Sequence, residues 1–374
     1  MADGPVAVPV DGKPFHGQLV DADSSGTLTF LTDSGTKAVS ADNLVRWGAF
    51  AVPDRPPLFL LRNGTLLVAG ILEVTQEELA LDSDSLGLIR LPLQELRAIV
   101  LQLPAPGLVR DRLLDDAIRG NEETARIIML NGDQLHGELI DFDDQSVTLR
   151  TSVGSVRLEL ERVSTITLAS TPGVQRPPGR ATVVGLTDGS RLAVNEMIGK
   201  DQVAALKSAD GLKWKTDLKD IVFLQPVSTR ITYLSELEPI GYRHVPFLDR
   251  TWRFHADRNV LGGQMRCAGQ TYLKGIGMHT AARLSYAPPD GTQAFQASLG
   301  IDDITEGMGS VRFRVFVDGD QKYVSPTVRG LEAPVPIAVD VEGAARVDLV
   351  VDFADRADVQ DLANWLDARF IAGE

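Results

Sequence analysis

A chain of 374 residues is long enough for two or more domains, and 44% hydrophobic residues let each of them bury a core. The formal net charge of −14 argues against a nucleic-acid surface, which needs a basic footprint. A single cysteine, Cys267, excludes any internal disulfide, and no apolar run approaches the roughly 18 residues needed to span a bilayer.

The first 13 residues lack the basic and apolar regions of a signal peptide. Two expectations follow: a cytoplasmic protein, or a secreted, periplasmic or cell-envelope one written without its leader. The chain then repeats itself. A turn dipeptide recurs at Asp11-Gly12, Asn63-Gly64, Asn131-Gly132 and Asp188-Gly189, and about 32 residues after each glycine comes an apolar strand, at 44–47, 96–100, 163–168 and 221–224. Between these markers the pattern has period two: Val156, Leu158 and Leu160 alternate with Arg157, Glu159 and Glu161, as half-buried strands require. Asn-Gly and Asp-Gly suit turns with positive φ. Each copy reads as a meander of short strands, with a weak likeness to small SH3-like or Sm-like barrels, too small to stand without a neighbour.

The copies are expected at 5–50, 55–102, 126–170 and 180–228. A helical linker at 103–125 carries the stripe Leu113, Leu114, Ala117 and Ile118, with Gly120 as C-terminal cap, and should pack between two pairs of copies. The Pro- and Gly-rich stretch 170–179 reads as a stiff connector. His16 and His136 occupy equivalent positions in two copies, but no further ligands accompany them, so they read as strand residues rather than a metal site.

From residue 230 to 374 the pattern changes. Phe295, Ala297, Leu299 and Ile301 alternate with polar residues, as do Val311, Phe313, Val315 and Val317, and Val347, Leu349, Val351 and Phe353. Asp318-Gly319 supplies a turn between strands, and the whole reads as an antiparallel sandwich. The fold class is therefore all-β: four tandem meanders, one short helix and a C-terminal sandwich.

The last segment carries markers in a set order. They are Ile231-Thr232-Tyr233-Leu234-Ser235-Glu236-Leu237, Lys274-Gly275-Ile276-Gly277-Met278-His279, Gly300-Ile301-Asp302-Asp303, the strand and turn 311–319, and Asp361-Leu362-Ala363-Asn364-Trp365-Leu366-Asp367-Ala368. In this order and spacing the segment resembles the NPCBM domain, a carbohydrate-binding module found beside glycoside hydrolases and in secreted bacterial proteins. The resemblance implies a galactose-binding-like jelly roll and glycans or polysaccharides as partners. Related jelly rolls often hold a structural calcium, and no other cofactor is implied. One departure stands out: Leu362 and Asn364 replace a histidine and an aspartate of the usual closing motif.

A sugar site needs an aromatic face and convergent polar groups on loops. The candidates are Trp252, His279, Asp303, Glu306, Asn364 and Trp365, with His255 nearby. Trp365 also suits a sandwich core, and His279 a buried hydrogen-bond network. Asp302 and Asp303 are adjacent and would point to opposite faces of a strand, so they cannot flank one glycosidic bond; a strand-end turn or a calcium site suits them better. Lys274 with its flanking glycines lacks the phosphate-loop spacing. The leading expectation is non-catalytic glycan binding, with the repeats as scaffold. The alternatives are an envelope structural or protein-interaction scaffold that binds no sugar, and a hydrolase, for which no nucleophile elbow, metal motif or dinucleotide fingerprint speaks.

Overall fold

The turn dipeptides set the geometry of the first half. In a computed structural model, which describes residues 4–75, 77–105, 107–119, 123–169, 181–247, 249–355 and 357–373, the four turn glycines share one left-handed conformation, with φ of 89°, 91°, 89° and 88°. The preceding side chain locks the turn: Asn63, Asn131 and Asp188, for example, accept from the amide two residues on, at 2.8, 3.1 and 2.8 Å. Each copy then runs through strands in the same order, two of them merged as Gln134–Phe142 in the third copy, and enters its last strand from a short 3-10 turn, at Ala41–Asn43, Leu93–Glu95, Leu160–Arg162 and Leu218–Asp220. The first strand pairs with both the second and the last, so each meander closes on itself. The connector at 170–179 and Gly120 lie outside the described residues.

The copies form one compact unit, Met1–Val227. A 14-stranded sheet runs through all four, in the spatial order third, second, fourth, first. The last strands of the second and third copies pair, Ile99 opposite Ile166. Strand Arg191–Val194 meets Leu66–Val68, and Ile221–Gln225 meets Leu44–Gly48. Gly48 is required at that last junction: its φ is +76°, and a Cβ there would lie 1.9 Å from the Val222 carbonyl oxygen. The helix Gly107–Arg119 lays Leu113, Leu114, Ala117 and Ile118 on Leu58, Leu60, Ala98 and Val100. Its apolar stripe thus packs on the second copy, while Asp116 pairs with Arg126 of the third.

The second unit, Ser228–Glu374, has two main sheets. One holds, in order, His255–Ala256, Gly275–His279, Leu362–Ala372, Thr292–Ile301 and Val335–Asp340; the other holds Gly241–His244, Ala282–Tyr286, Val347–Phe353, Ser310–Val317 and Asp320–Val324. Their alternating apolar residues, among them Ile276, Phe295, Leu299, Phe313, Leu349 and Trp365, form one core. Every strand pair in the unit is antiparallel. Because this unit has its own core and its own sheets, residues 228–374 produced alone should melt cooperatively with a β-type circular dichroism spectrum. A non-cooperative melt would show that its stability depends on the repeats.

Candidate functional site

Strand Leu362–Ala372 organises the C-terminal unit. It lies between Gly275–His279 and Thr292–Ile301 and is buried along nearly its whole length. Strict alternation would put residues 365 and 367 on one face. A bulge intervenes: Asp367 takes φ 48° and its amide donates to the Lys274 carbonyl at 2.9 Å. Ala363, Trp365, Ala368 and Phe370 therefore face the core together.

This placement corrects two expectations. Trp365 is fully buried, its ring 4.9 Å from Phe313 and 6.0 Å from Phe295, so no sugar can stack on it. Asn364 is also fully buried; its amide donates to Asp302 at 2.8 Å. Asp303 and Glu306 are not part of a cleft with Trp252. Asp303 holds a hairpin turn by accepting from the Ala268 and Gly269 amides at 2.9 and 2.8 Å, and Glu306 is exposed at a left-handed turn.

Nor does the 302–306 turn suit calcium. Asp302 is buried and spends both oxygens on the amides of Arg266, Ile304 and Asn364, with burial raising its pKa. Among the described residues no group of three or more His, Cys, Asp or Glu comes together around a metal-sized space.

Trp252 and His279 do meet. Their rings stack nearly parallel, 5° apart with centroids at 4.7 Å. They line a cleft of about 340 Å³ together with Arg250, Leu261, Asp358, Gln360 and Leu362. His279 is placed by its strand, where it pairs with Leu362, and its imidazole is buried. Burial pushes its pKa down to about 4, so it is neutral at pH 7. Trp252 is placed by its backbone: its carbonyl accepts from the Tyr242 hydroxyl at 2.9 Å and its amide faces the His244 Nδ1 at 3.4 Å. The Arg250 guanidinium sits 3.7 Å from the centroid of the indole. The cleft thus offers a cation, a carboxylate, an amide and an aromatic pair. With the indole faces taken by His279 and Arg250, that set can hold an uncharged polyhydroxylated ring by hydroxyls on the polar groups and an apolar edge against the rim of the indole.

Arg250, Asp358 and Gln360 are the functional candidates that sequence reasoning missed. They sit on loops, where no periodicity marks them; the one available hint was the Arg250-x-Trp252 spacing in a turn-rich stretch. Leu362, the departure from the usual motif, proves to be a wall of this cleft.

Beside the cleft lies Asp361, fully buried, which accepts from the Ser310 amide at 2.8 Å. Burial raises its pKa to about 7 against that hydrogen bond. The folded protein then holds a proton that the unfolded chain has released above its ordinary value of 3.8. The stability from this group is greatest at low pH and falls as pH rises from about 4 to about 7. Asp361→Asn keeps the carbonyl acceptor and removes the charge. Its melting temperature should exceed that of the wild type at pH 8 and lose that advantage at pH 5; a variant less stable at pH 8 would contradict this.

The first unit has a larger hollow, about 480 Å³, between the first and fourth copies. Among the described residues no aromatic ring lines it. Its acids are engaged, Asp23 by the amides of Ser25 and Thr27 and Glu196 by Lys207 at 2.7 Å.

Comparison with known proteins bears on the second unit. The chain is 34% identical over 110 residues to a Renibacterium salmoninarum protein that carries the name endo-alpha-N-acetylgalactosaminidase, covering 29% of this chain and 7% of that protein. It is 29% identical over 117 residues to alpha-1,3-galactosidase B of Akkermansia muciniphila, covering 30% of this chain and 14% of the relative. The chain thus spans only a small part of these curated relatives. Among solved structures, the CBM51-2 and INT domains of Clostridium perfringens ZmpB match at 25% identity and TM-score 0.36, over 53% of this chain and 39% of that one. The CBM51 of C. perfringens GH95, in complex with methyl-galactose, matches at 23% identity and TM-score 0.34, over 37% of this chain and 99% of that one. The NPCBM/NEW2 sequence model matches residues 231–371, from the first paired strand of the sandwich to within one residue of the end of its last, and the C-terminal unit is an NPCBM/NEW2 domain.

Proposed function

We propose that the C-terminal unit binds a glycan in the Trp252–His279 cleft and performs no chemistry on it, while the repeats serve as scaffold. The stacked Trp252–His279 pair at the wall of a polar cleft carries this reading. The membership of residues 231–371 in the NPCBM/NEW2 domain supports it. A binding role rather than hydrolysis fits the acid inventory: among the described residues lining the cleft only Asp358 is a carboxylate, and glycosidases pair two across the scissile bond. A galactose-type or N-acetylglucosamine-type ring is the first ligand to try, since solved structures that resemble this chain hold methyl-galactose or GlcNAc. A glycan ligand would place the working protein outside the cytoplasm, secreted or in the cell envelope, which fractionation of the producing cell would test.

One observation favours the alternative of an envelope scaffold with other envelope proteins as partners. Leu362 puts an apolar side chain in the cleft where the usual motif carries a histidine. Calorimetric titration of the purified protein with methyl-galactoside and with N-acetylglucosamine separates the two readings. Saturable heat with either sugar supports glycan binding, and its absence with both, followed by absence across a broad glycan array, supports the scaffold.

A further inference from the structure

Two phenylalanines beside the cleft are held in the open. Phe247 is 57% exposed and Phe353 is 37% exposed, yet their rings meet at 6.0 Å with a 69° interplanar angle. Neither belongs to the core of the sandwich. The chain places them at one end of three neighbouring strands. Ala282 pairs with His244 on one side and with Val351 on the other, so Gly241–His244, Ala282–Tyr286 and Val347–Phe353 are in register there. Phe247 lies three residues past His244 and Phe353 two past Val351. The Val245 amide donates to the Ala281 carbonyl at 2.9 Å, tying the Phe247 loop to the turn that follows His279.

The same two loops build the cleft. Arg250 and Trp252 follow Phe247, Asp358 and Gln360 follow Phe353, and the His244 ring lies 6.1 Å from that of His279. Val245 and Val359 on the same two loops are exposed as well. The loops that carry the polar cleft therefore also carry an exposed aromatic pair.

From this shared placement we infer that Phe247, buttressed edge-to-face by Phe353, is a second subsite that stacks the next pyranose of a glycan whose terminal ring occupies the cleft. The inference rests on the glycan-binding reading above. A pyranose suits the pair because one of its faces is a patch of C–H groups while its rim stays hydrated, so it covers a single ring without needing polar partners. Exposure is otherwise unfavourable for two adjacent phenylalanines, and folding gains little from a contact this open. The ligand class is thus an oligosaccharide of at least two units, not a free monosaccharide.

The test uses the full-length protein, titrated by calorimetry with two matched pairs: methyl-galactoside against lactose, and N-acetylglucosamine against its β1,4-linked disaccharide. The wild type should bind the disaccharide of the preferred pair roughly fivefold or more tightly than the monosaccharide, a gain that one aromatic contact supplies. Phe247→Ala should erase that gain and leave monosaccharide affinity and melting temperature unaltered, while Phe247→Trp should keep it. Equal affinity of the wild type for both members of a pair would overturn the subsite, as would a Phe247→Ala variant that loses both sugars alike or neither. Sedimentation of the two proteins covers the other occupant: a wild-type dimer that Phe247→Ala dissociates would assign the pair to a second copy of the chain. If no sugar of either pair binds, the cleft reading itself fails for these sugars and the subsite falls with it.

Discussion

Trp365→Ala should lower the unfolding free energy of the C-terminal unit by about 3–5 kcal/mol, the range for removing a large buried aromatic. The indole lies in the central strand of its sheet, fully buried, with Phe313 edge-on at 4.9 Å and Phe295 at 6.0 Å. Neighbouring strands on both sides fix the backbone, so the space left behind cannot close by local collapse. Trp365→Phe should cost distinctly less. It keeps most of the volume and discards an indole N–H that is buried without a hydrogen-bond partner. Urea unfolding followed by circular dichroism measures both variants, and a loss under about 1 kcal/mol for the alanine variant would place Trp365 outside the load on this core.

Trp252→Ala should act on binding instead. The indole is half-buried, shares its faces with His279 and Arg250, and anchors nothing in the hydrophobic core. Removing it takes away the indole wall of the cleft, unstacks His279 and frees the Arg250 guanidinium to move. Affinity for the cognate sugar should fall at least about tenfold, while the melting temperature changes by no more than a few degrees. Two tryptophans 113 positions apart in one domain thus separate stability from recognition. Loss of stability in Trp252→Ala, or retained affinity, would contradict that division.

The sequence carried the fold further than the site. The turn dipeptides revealed the repeats because each needs a left-handed glycine, and the four glycines adopt nearly one φ. The sandwich strands showed in their period of two because one face is core and the other is wet. What the period could not show is where it breaks. The bulge at Asp367 shifts the register, so alternation alone gives no basis for placing Trp365 and Ala368 on one face. The spatial order of the repeats was equally hidden, since it depends on strand edges meeting across long separations, such as Leu224 opposite Trp47. The matching positions of the closing motif, Asp361, Trp365, Asp367 and Ala368, all turned out to be buried. Motif likeness there reported packing, and the aromatic and amide chemistry of Trp365 and Asn364, which suits a sugar, is spent inside the sandwich. The cleft residues Arg250, Asp358 and Gln360 come from loops, whose side chains obey no period; only the folded backbone brings them beside Trp252.

The central claim, that a sugar sits against Trp252, is tested most directly by the indole N–H resonances of the four tryptophans, Trp47, Trp214, Trp252 and Trp365, during titration with methyl-galactoside and N-acetylglucosamine. One of these sugars should shift the Trp252 resonance in a saturable way and leave that of the buried Trp365 in place. A saturable shift of another indole with Trp252 unmoved, or no shift at all with either sugar, would contradict a glycan site at this cleft.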